Sequence, residues 1–281
     1  MKRLLVLDFD GTMTDAEIEG APFRAGYLED LAFLCGRELD TIRGLAEEYE
    51  AVVRANPNAH GWLYEGRIVA PAIVDPYLRI MPVARRILDH FRCFMDAKER
   101  ARLLEGILYK YNYAKTAIAF RRGALQTLRV LKRIPTWIVT NSHTDPVRNK
   151  IKKLAEEGED DFEWLLPRVH GSAKKYVVRD DFDKVPEALR IPGLSRPILL
   201  RRPHYYDVLA RLVEHEGVDW EGLVVIGDIF ELDLALPLSL GAGIGLVVND
   251  FTPDYERAFV EKHPRGRLIR DLADIPAFLG L

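Results

Sequence analysis

Leu4-Leu5-Val6-Leu7 runs directly into Asp8-Phe9-Asp10-Gly11-Thr12, and this junction decides the fold. Four apolar residues that stop abruptly at a charge resemble a strand buried on both faces, the kind that parallel sheets contain. On extended backbone, side chains two apart share a face, so Asp8 and Asp10 project together while Phe9 points away. Two neighbouring carboxylates repel unless a cation or a shared proton relieves them. Gly11 then permits a sharp turn that leaves both at the strand tip. A plain strand followed by an Asp-Gly turn is the simpler reading of the same residues.

Working outward, further short apolar runs lie at 137–140, 198–200, 223–226 and 244–248. The first three end in polar residues: Thr140-Asn141, Arg201-Arg202 and Gly227-Asp228. In open α/β sheets ligands bind beyond the carboxyl ends of the strands, where these residues would gather with Asp8. The expected fold is therefore α/β, with a doubly wound, mainly parallel sheet. Between the first two runs the periodicity becomes helical, at 29–34, 40–55, 83–94, 97–111 and 123–132, around a Pro- and Gly-bearing loop at 56–82. This predicts a helical domain inserted at 20–120 into a core made of 1–19 and 121–281. A second excursion, 142–197, carries the acidic run 156–161, read as a solvated loop.

A second carboxylate pair, Asp228 and Asp233, follows the apolar run at 223–226. Asp228 would sit at a strand tip and Asp233 about one helical turn beyond it. Four converging carboxylates require a positive centre, and hard oxygen ligands favour Mg²⁺. Taken by itself the pair is better read as a helix-capping Asp, and only together with Asp8 and Asp10 does it become the other half of a metal site.

Composition bounds the partners. The 281 residues have a formal net charge of -3, which argues against a general nucleic-acid binder. No stretch approaches the roughly 20 apolar residues that span a bilayer, so no membrane association is expected. Two cysteines without metal or redox spacing fit a reducing, cytoplasmic setting. The seven histidines include no ligand-spaced pair, and His143 and His204 are read as surface residues despite their places beside the motifs.

The order of these motifs resembles the haloacid dehalogenase (HAD) superfamily of aspartate-nucleophile hydrolases. Asp8–Thr12 matches its first motif, with Asp15 as the trailing acid. The run ending at Thr140, followed by Asn141, matches the second. Arg202-Pro203 matches the third, which is usually lysine, and Asp228 with Asp233 matches the fourth. For the third motif Arg202 is favoured because 26 residues and a Pro-led helical segment separate it from Asp228; Lys174 and Lys175 are the alternative. The resemblance covers the core, and the helical block is similar to the caps many members carry.

The resemblance implies an Mg²⁺-dependent phosphatase acting on a small phosphorylated metabolite. Asp8 would be the nucleophile and Asp10 the general acid and base. Mg²⁺ would be held by Asp8, Asp228 and the backbone carbonyl of Asp10, with Asp233 orienting Asp228 or a metal-bound water. Thr140 and Arg202 would bind the phosphate, with Gly11, Thr12 and Asn141 lining it. Dehalogenating relatives lack the second aspartate, since halide needs no proton, so Asp10 favours phosphoryl transfer. The absence of lysine from 20–95 disfavours an imine-forming phosphonate cleaver. A phosphomutase or phosphotransferase would use the same motifs, and a catalytically idle relative is the reading from another class. Glu17, Glu19, Arg24, Tyr27 and Trp62 are read as linker or packing residues in preference to substrate contacts.

Overall fold

The computed structural model describes residues 3–112 and 117–281. In chain order its strands are β1 (Leu4–Leu7), β2 (Gly61–Tyr64), β3 (Arg67–Pro71), β4 (Thr136–Val139), β5 (Val169–His170), β6 (Ala188–Leu189), β7 (Ile198–Leu199), β8 (Leu223–Gly227), β9 (Gly243–Val247) and β10 (Gly266–Ile269). Six of them form one sheet in the order β10-β9-β8-β1-β4-β5, and every pairing in it is parallel. β1 is central, with Val6 beside Trp137 on one side and Val225 on the other.

Period-two alternation sends β1 into two cores. Leu4 and Val6 pack with Tyr205, Leu209 and Val225, whereas Leu5 and Leu7 pack with Phe9, Leu128, Ile138 and Ile226. Both faces are therefore covered, as a parallel sheet requires. The covering helices are α5 (Ala124–Leu131), α6 (Thr144–Glu157), α7 (Pro203–Glu216), α8 (Ala235–Ser239), α9 (Asp254–Lys262) and α10 (Asp274–Leu279). Among the described residues no helix is long and apolar enough to cross a membrane.

The chain divides into two compact units: Met1–Asp15 with Leu63–Ala70 and Phe120–Leu281, and Ala16–Trp62 with Pro71–Ala119. The second unit contains α1 (Ala16–Cys35), α2 (Leu39–Ala55), α3 (Pro76–His90) and α4 (Ala97–Asn112), around its own core of Tyr27, Leu31, Ile42, Ile80 and Ile87. Asp75 starts α3 by accepting from the amides of Tyr77 (2.8 Å) and Leu78 (3.1 Å), with Pro76 at the first helical position. In the first unit, Thr14 bridges Phe120, so the outgoing and returning chains run side by side.

Several expectations change. Residues 198–200 do not join the main sheet: β7 pairs antiparallel with β6 in a separate two-stranded sheet, and the edge beyond β4 belongs to β5. The loop at 56–82 is replaced by β2 and β3, joined through Glu65-Gly66, and by the first turns of α3, which continue through Pro82. Finally, Leu63–Ala70 packs with the sheet-bearing unit, so the 20–120 insertion is not wholly a helical domain. The acidic run splits, with 156 and 157 closing α6 and Asp160 paired to Arg129.

Candidate active site

β1 and β8 deliver two carboxylates to adjacent strand tips. Asp8 follows β1 directly, and its amide donates to Ile226 O at 2.8 Å; Asp228 follows β8. Thr12 lies between them, its buried hydroxyl 3.3 Å from Asp8 Oδ2 and 3.1 Å from Asp228 Oδ1. The turn that brings Thr12 back depends on Gly11, at φ +82°, where a Cβ would come within 2.3 Å of Asp228 Oδ2. Arg121 Nε donates to Gly11 O at 2.9 Å and pins that turn.

Beyond Asp228 the chain makes one π-helical turn, Phe230–Leu234, and such wide turns recur at functional sites. It folds Asp233 back over the tip of β8, where Asp233 Oδ2 accepts from the Ile229 amide at 3.0 Å. Carboxylate oxygens of Asp8, Asp228 and Asp233 lie within 4.8 Å of one another, all three residues buried. A buried set of hard oxygens this close fits a small divalent cation. The Asp10 side chain stands outside this cluster; the metal expectation for Asp10 concerns its backbone carbonyl.

The cation that faces Asp8 is Lys175. Its Nζ donates to Asp8 Oδ1 at 2.7 Å and to Asp233 Oδ1 at 2.8 Å, and it sits 5.4 Å from the centre of the Tyr205 ring. Arg202, the favoured third-motif residue, does not point at Asp8. Its guanidinium is fully buried, and Nε, Nη1 and Nη2 donate to the backbone carbonyls of Leu199, Lys175 and Val69. The correction has a local cause. The loop after β5 is stitched to the end of β4: the amides of Ser172 and Ala173 donate to Ser142 O and Thr140 O, at 2.7 and 2.9 Å. Asn141 Oδ1 then accepts from the Lys175 amide at 2.8 Å. Ser172 and Lys174 take left-handed backbone, with φ of 54° and 49°, a conformation that costs non-glycine residues energy and gathers at functional sites.

Burial pushes the Asp8 carboxyl up to about 7; the pull of Lys175 lowers it and the repulsion of Asp233 raises it again. Burial disfavours the Lys175 ammonium, but the carboxylates of Asp233 and Asp8 outweigh that and hold it charged.

Asp10 Oδ1 accepts from Lys150 Nζ at 2.6 Å, while Oδ2 is buried with no hydrogen-bond partner among the described residues. Thr140 is buried, and its Oγ1 accepts from the Ser142 amide at 3.1 Å. The structure thus brings Asp8, Gly11, Thr12, Asp228 and Asp233 together, sets Thr140 and Asn141 in the turn that carries the Lys175 loop, and turns Arg202 away. Lys150 carries no sequence signal, because a basic residue on a helix has no motif spacing, and Arg121, at the return of the inserted segment, reads from sequence as a hinge or as charged surface alike. His143 is exposed beside Ser172. In the other unit Glu17 pairs with Arg79, Arg24 with Glu50, and Tyr27 donates to Leu104 O, so these side chains have internal work.

No family model matches the chain, and no curated protein matches it in sequence. Solved structures do match in fold. A predicted phosphoglycolate phosphatase from Haemophilus somnus is 15% identical with a TM-score of 0.53, over 99% of this chain and 98% of that one. A HAD family hydrolase from Deinococcus radiodurans, with phosphate and sodium bound, is 16% identical with a TM-score of 0.51, over 99% and 95%. The HAD-hydrolase YfnB from Bacillus subtilis, bound to magnesium, is 15% identical with a TM-score of 0.51, over 100% and 99%. The chain has the haloacid dehalogenase-like fold.

Proposed function

We propose that this chain belongs to the HAD superfamily and is an Mg²⁺-dependent phosphomonoesterase acting on a small phosphorylated metabolite through an aspartyl-phosphate. The observation that carries the reading is the buried trio Asp8, Asp228 and Asp233, held against one lysine at the carboxyl ends of the central strands of a parallel sheet. Asp8, Asp228 and the carbonyl of Asp10 would hold Mg²⁺. When bound, the ion supplies charge that lets an anionic nucleophile approach an anionic phosphate.

The residues then divide the work. Lys175 on Oδ1 and Thr12 beside Oδ2 fix the Asp8 carboxylate in one orientation. Asp8 attacks phosphorus, the ester P–O bond breaks, and the leaving oxygen takes a proton from Asp10. Asp10 Oδ2 is the atom suited to hold that proton, because Lys150 already occupies Oδ1. Asp10 next accepts a proton from the water that attacks the aspartyl-phosphate, which frees phosphate and restores Asp8. Asp233 acts through Lys175, tethering the ammonium with a second carboxylate beside that of Asp8. The proton donor two residues after Asp8 favours this reaction over dehalogenation, whose leaving group needs no proton.

A panel of phosphate esters, from an aryl phosphate to small phosphorylated acids and sugars, assayed with Mg²⁺ and after chelation, tests the reading. Hydrolysis that chelation removes and Mg²⁺ restores is expected. Hydrolysis indifferent to chelation, or none across the panel, would contradict it.

A further inference from the structure

Arg202 is among the largest fully buried side chains of the molecule, and the reaction outlined above leaves it without a task. Burying a guanidinium is costly unless its donors are satisfied. Its Nε, Nη1 and Nη2 all donate to main-chain oxygens and none to a carboxylate: Leu199 O in β7 (2.8 Å), the carbonyl of Lys175, and Val69 O in β3 (2.9 Å). Only a rigid, planar fork reaches three acceptors in three directions; an ammonium on a flexible stem does not.

The placement gives these bonds a consequence. Pro203 starts α7 immediately after Arg202, and Tyr205 in the same first turn lies under the Lys175 ammonium while its hydroxyl donates to Asp233 O at 2.8 Å. One helix start therefore grips Lys175 twice, by its carbonyl through Arg202 and by its ammonium through Tyr205. On the other side of the fork, Val69 belongs to the β2–β3 pair. That pair is also tied to the residues after Lys175, by Arg67 to Asp180 and to Val178 O and by Tyr64 against the Tyr176 ring.

We propose that Arg202 is a positioning residue: it holds the Lys175 backbone so that the ammonium meets Asp8, and it makes that placement depend on the seating of Leu63–Ala70. The role rests on the phosphatase reading for its kinetic meaning and on geometry alone for its structural meaning. It assigns the segment 63–70, taken from within the insertion, a direct part in assembling the catalytic centre.

Two variants test it, each followed by amide hydrogen exchange and by kcat and KM on an aryl phosphate with Mg²⁺. Arg202→Lys should raise exchange at 63–70 and at 174–178 together and lower kcat by about 10- to 100-fold, the cost of a small misplacement of a catalytic group, with KM changed far less. Gly66→Val strains the β2–β3 turn, where φ is +76° and a Cβ would meet nothing within 4 Å. Although it touches neither Arg202 nor Lys175, it should loosen 174–178 along with 63–70 and lower kcat. The proposal is overturned if Gly66→Val loosens 63–70 while 174–178 and kcat stay as in the wild type. It is equally overturned if Arg202→Lys leaves 174–178 protected. Exchange reports the coupling whether or not the wild type hydrolyses phosphate esters; an inactive wild type with coupled exchange would sink the phosphatase reading and leave the positioning intact.

Discussion

Asp8 is held by opposing forces: burial favours its neutral form, and the Lys175 ammonium favours the charge. With the carboxyl pushed up to about 7 in the metal-free protein, the folded state binds a proton that the unfolded chain, near pH 4, has already released. Stability should therefore fall as pH rises from about 4 to 7, and the penalty should be complete above 7. Asp8→Asn removes it. Without metal, that variant should be more stable than the wild type at pH 8, by on the order of 1–3 kcal/mol, and the gap should close by about pH 4. Chemical denaturation at both pH values checks this; an Asp8→Asn variant less stable at pH 8 would contradict it. Lys175 is the matching case. Lys175→Ala should slow aryl phosphate hydrolysis by roughly 30- to 1,000-fold, whereas Lys174→Ala should cost little; steady-state kinetics of the two would rank them. The candidate carboxylate cluster was legible because Asp8, Asp228 and Asp233 sit at short, fixed distances after apolar runs. The choice between Arg202 and Lys175 was not legible. It turns on the Asn141 contact and on left-handed backbone at Ser172 and Lys174, which leave no spacing signal.

Among elements, the strands read correctly were those buried on both faces. β1, β4, β8 and β9 are short, continuous and almost wholly apolar, and each was found within one residue. β5 has two residues at the sheet edge, and β10 is interrupted by the exposed Arg267, so neither carries that pattern. The run at 198–200 carries the pattern and still pairs elsewhere, because an apolar run specifies burial and not a partner. Helix α3 starts before the helical periodicity that the sequence shows from 83, since Pro76 and Pro82 read as breakers. Pro76 instead occupies the first helical position under the Asp75 cap. Asp75→Ala should destabilise the helical unit by about 0.5–2 kcal/mol, while Asp75→Asn, which keeps an acceptor, should cost much less. Thermal unfolding of the two variants compares them, and equal losses would remove the cap from the account.

For the molecule as a whole, the buried trio of carboxylates against Lys175 leaves a local deficit of positive charge that a bound cation would relieve. An ion that binds only the folded chain stabilises it by about 2.7 kcal/mol at a hundred times its dissociation constant. Mg²⁺ should accordingly raise the Tm of the wild type and leave that of Asp228→Asn almost unmoved; equal shifts in both would place the ion elsewhere. The α/β class and an inserted, mainly helical segment were legible from the alternation of apolar runs and helical periodicity. The membership of Leu63–Ala70 in the sheet-bearing unit was not, because it depends on Arg67 and Arg202 contacts made across long stretches of chain. On the proposed mechanism Asp8 would carry the phosphoryl group, and capture of the phosphorylated residue tests this most directly. Wild-type protein mixed with a phosphorus-labelled aryl phosphate and Mg²⁺, then quenched in acid during turnover, should yield label on the peptide containing Asp8, and Asp8→Asn should yield neither label nor product. Turnover that persists undiminished in Asp8→Asn, or label recovered on another residue, would contradict the account.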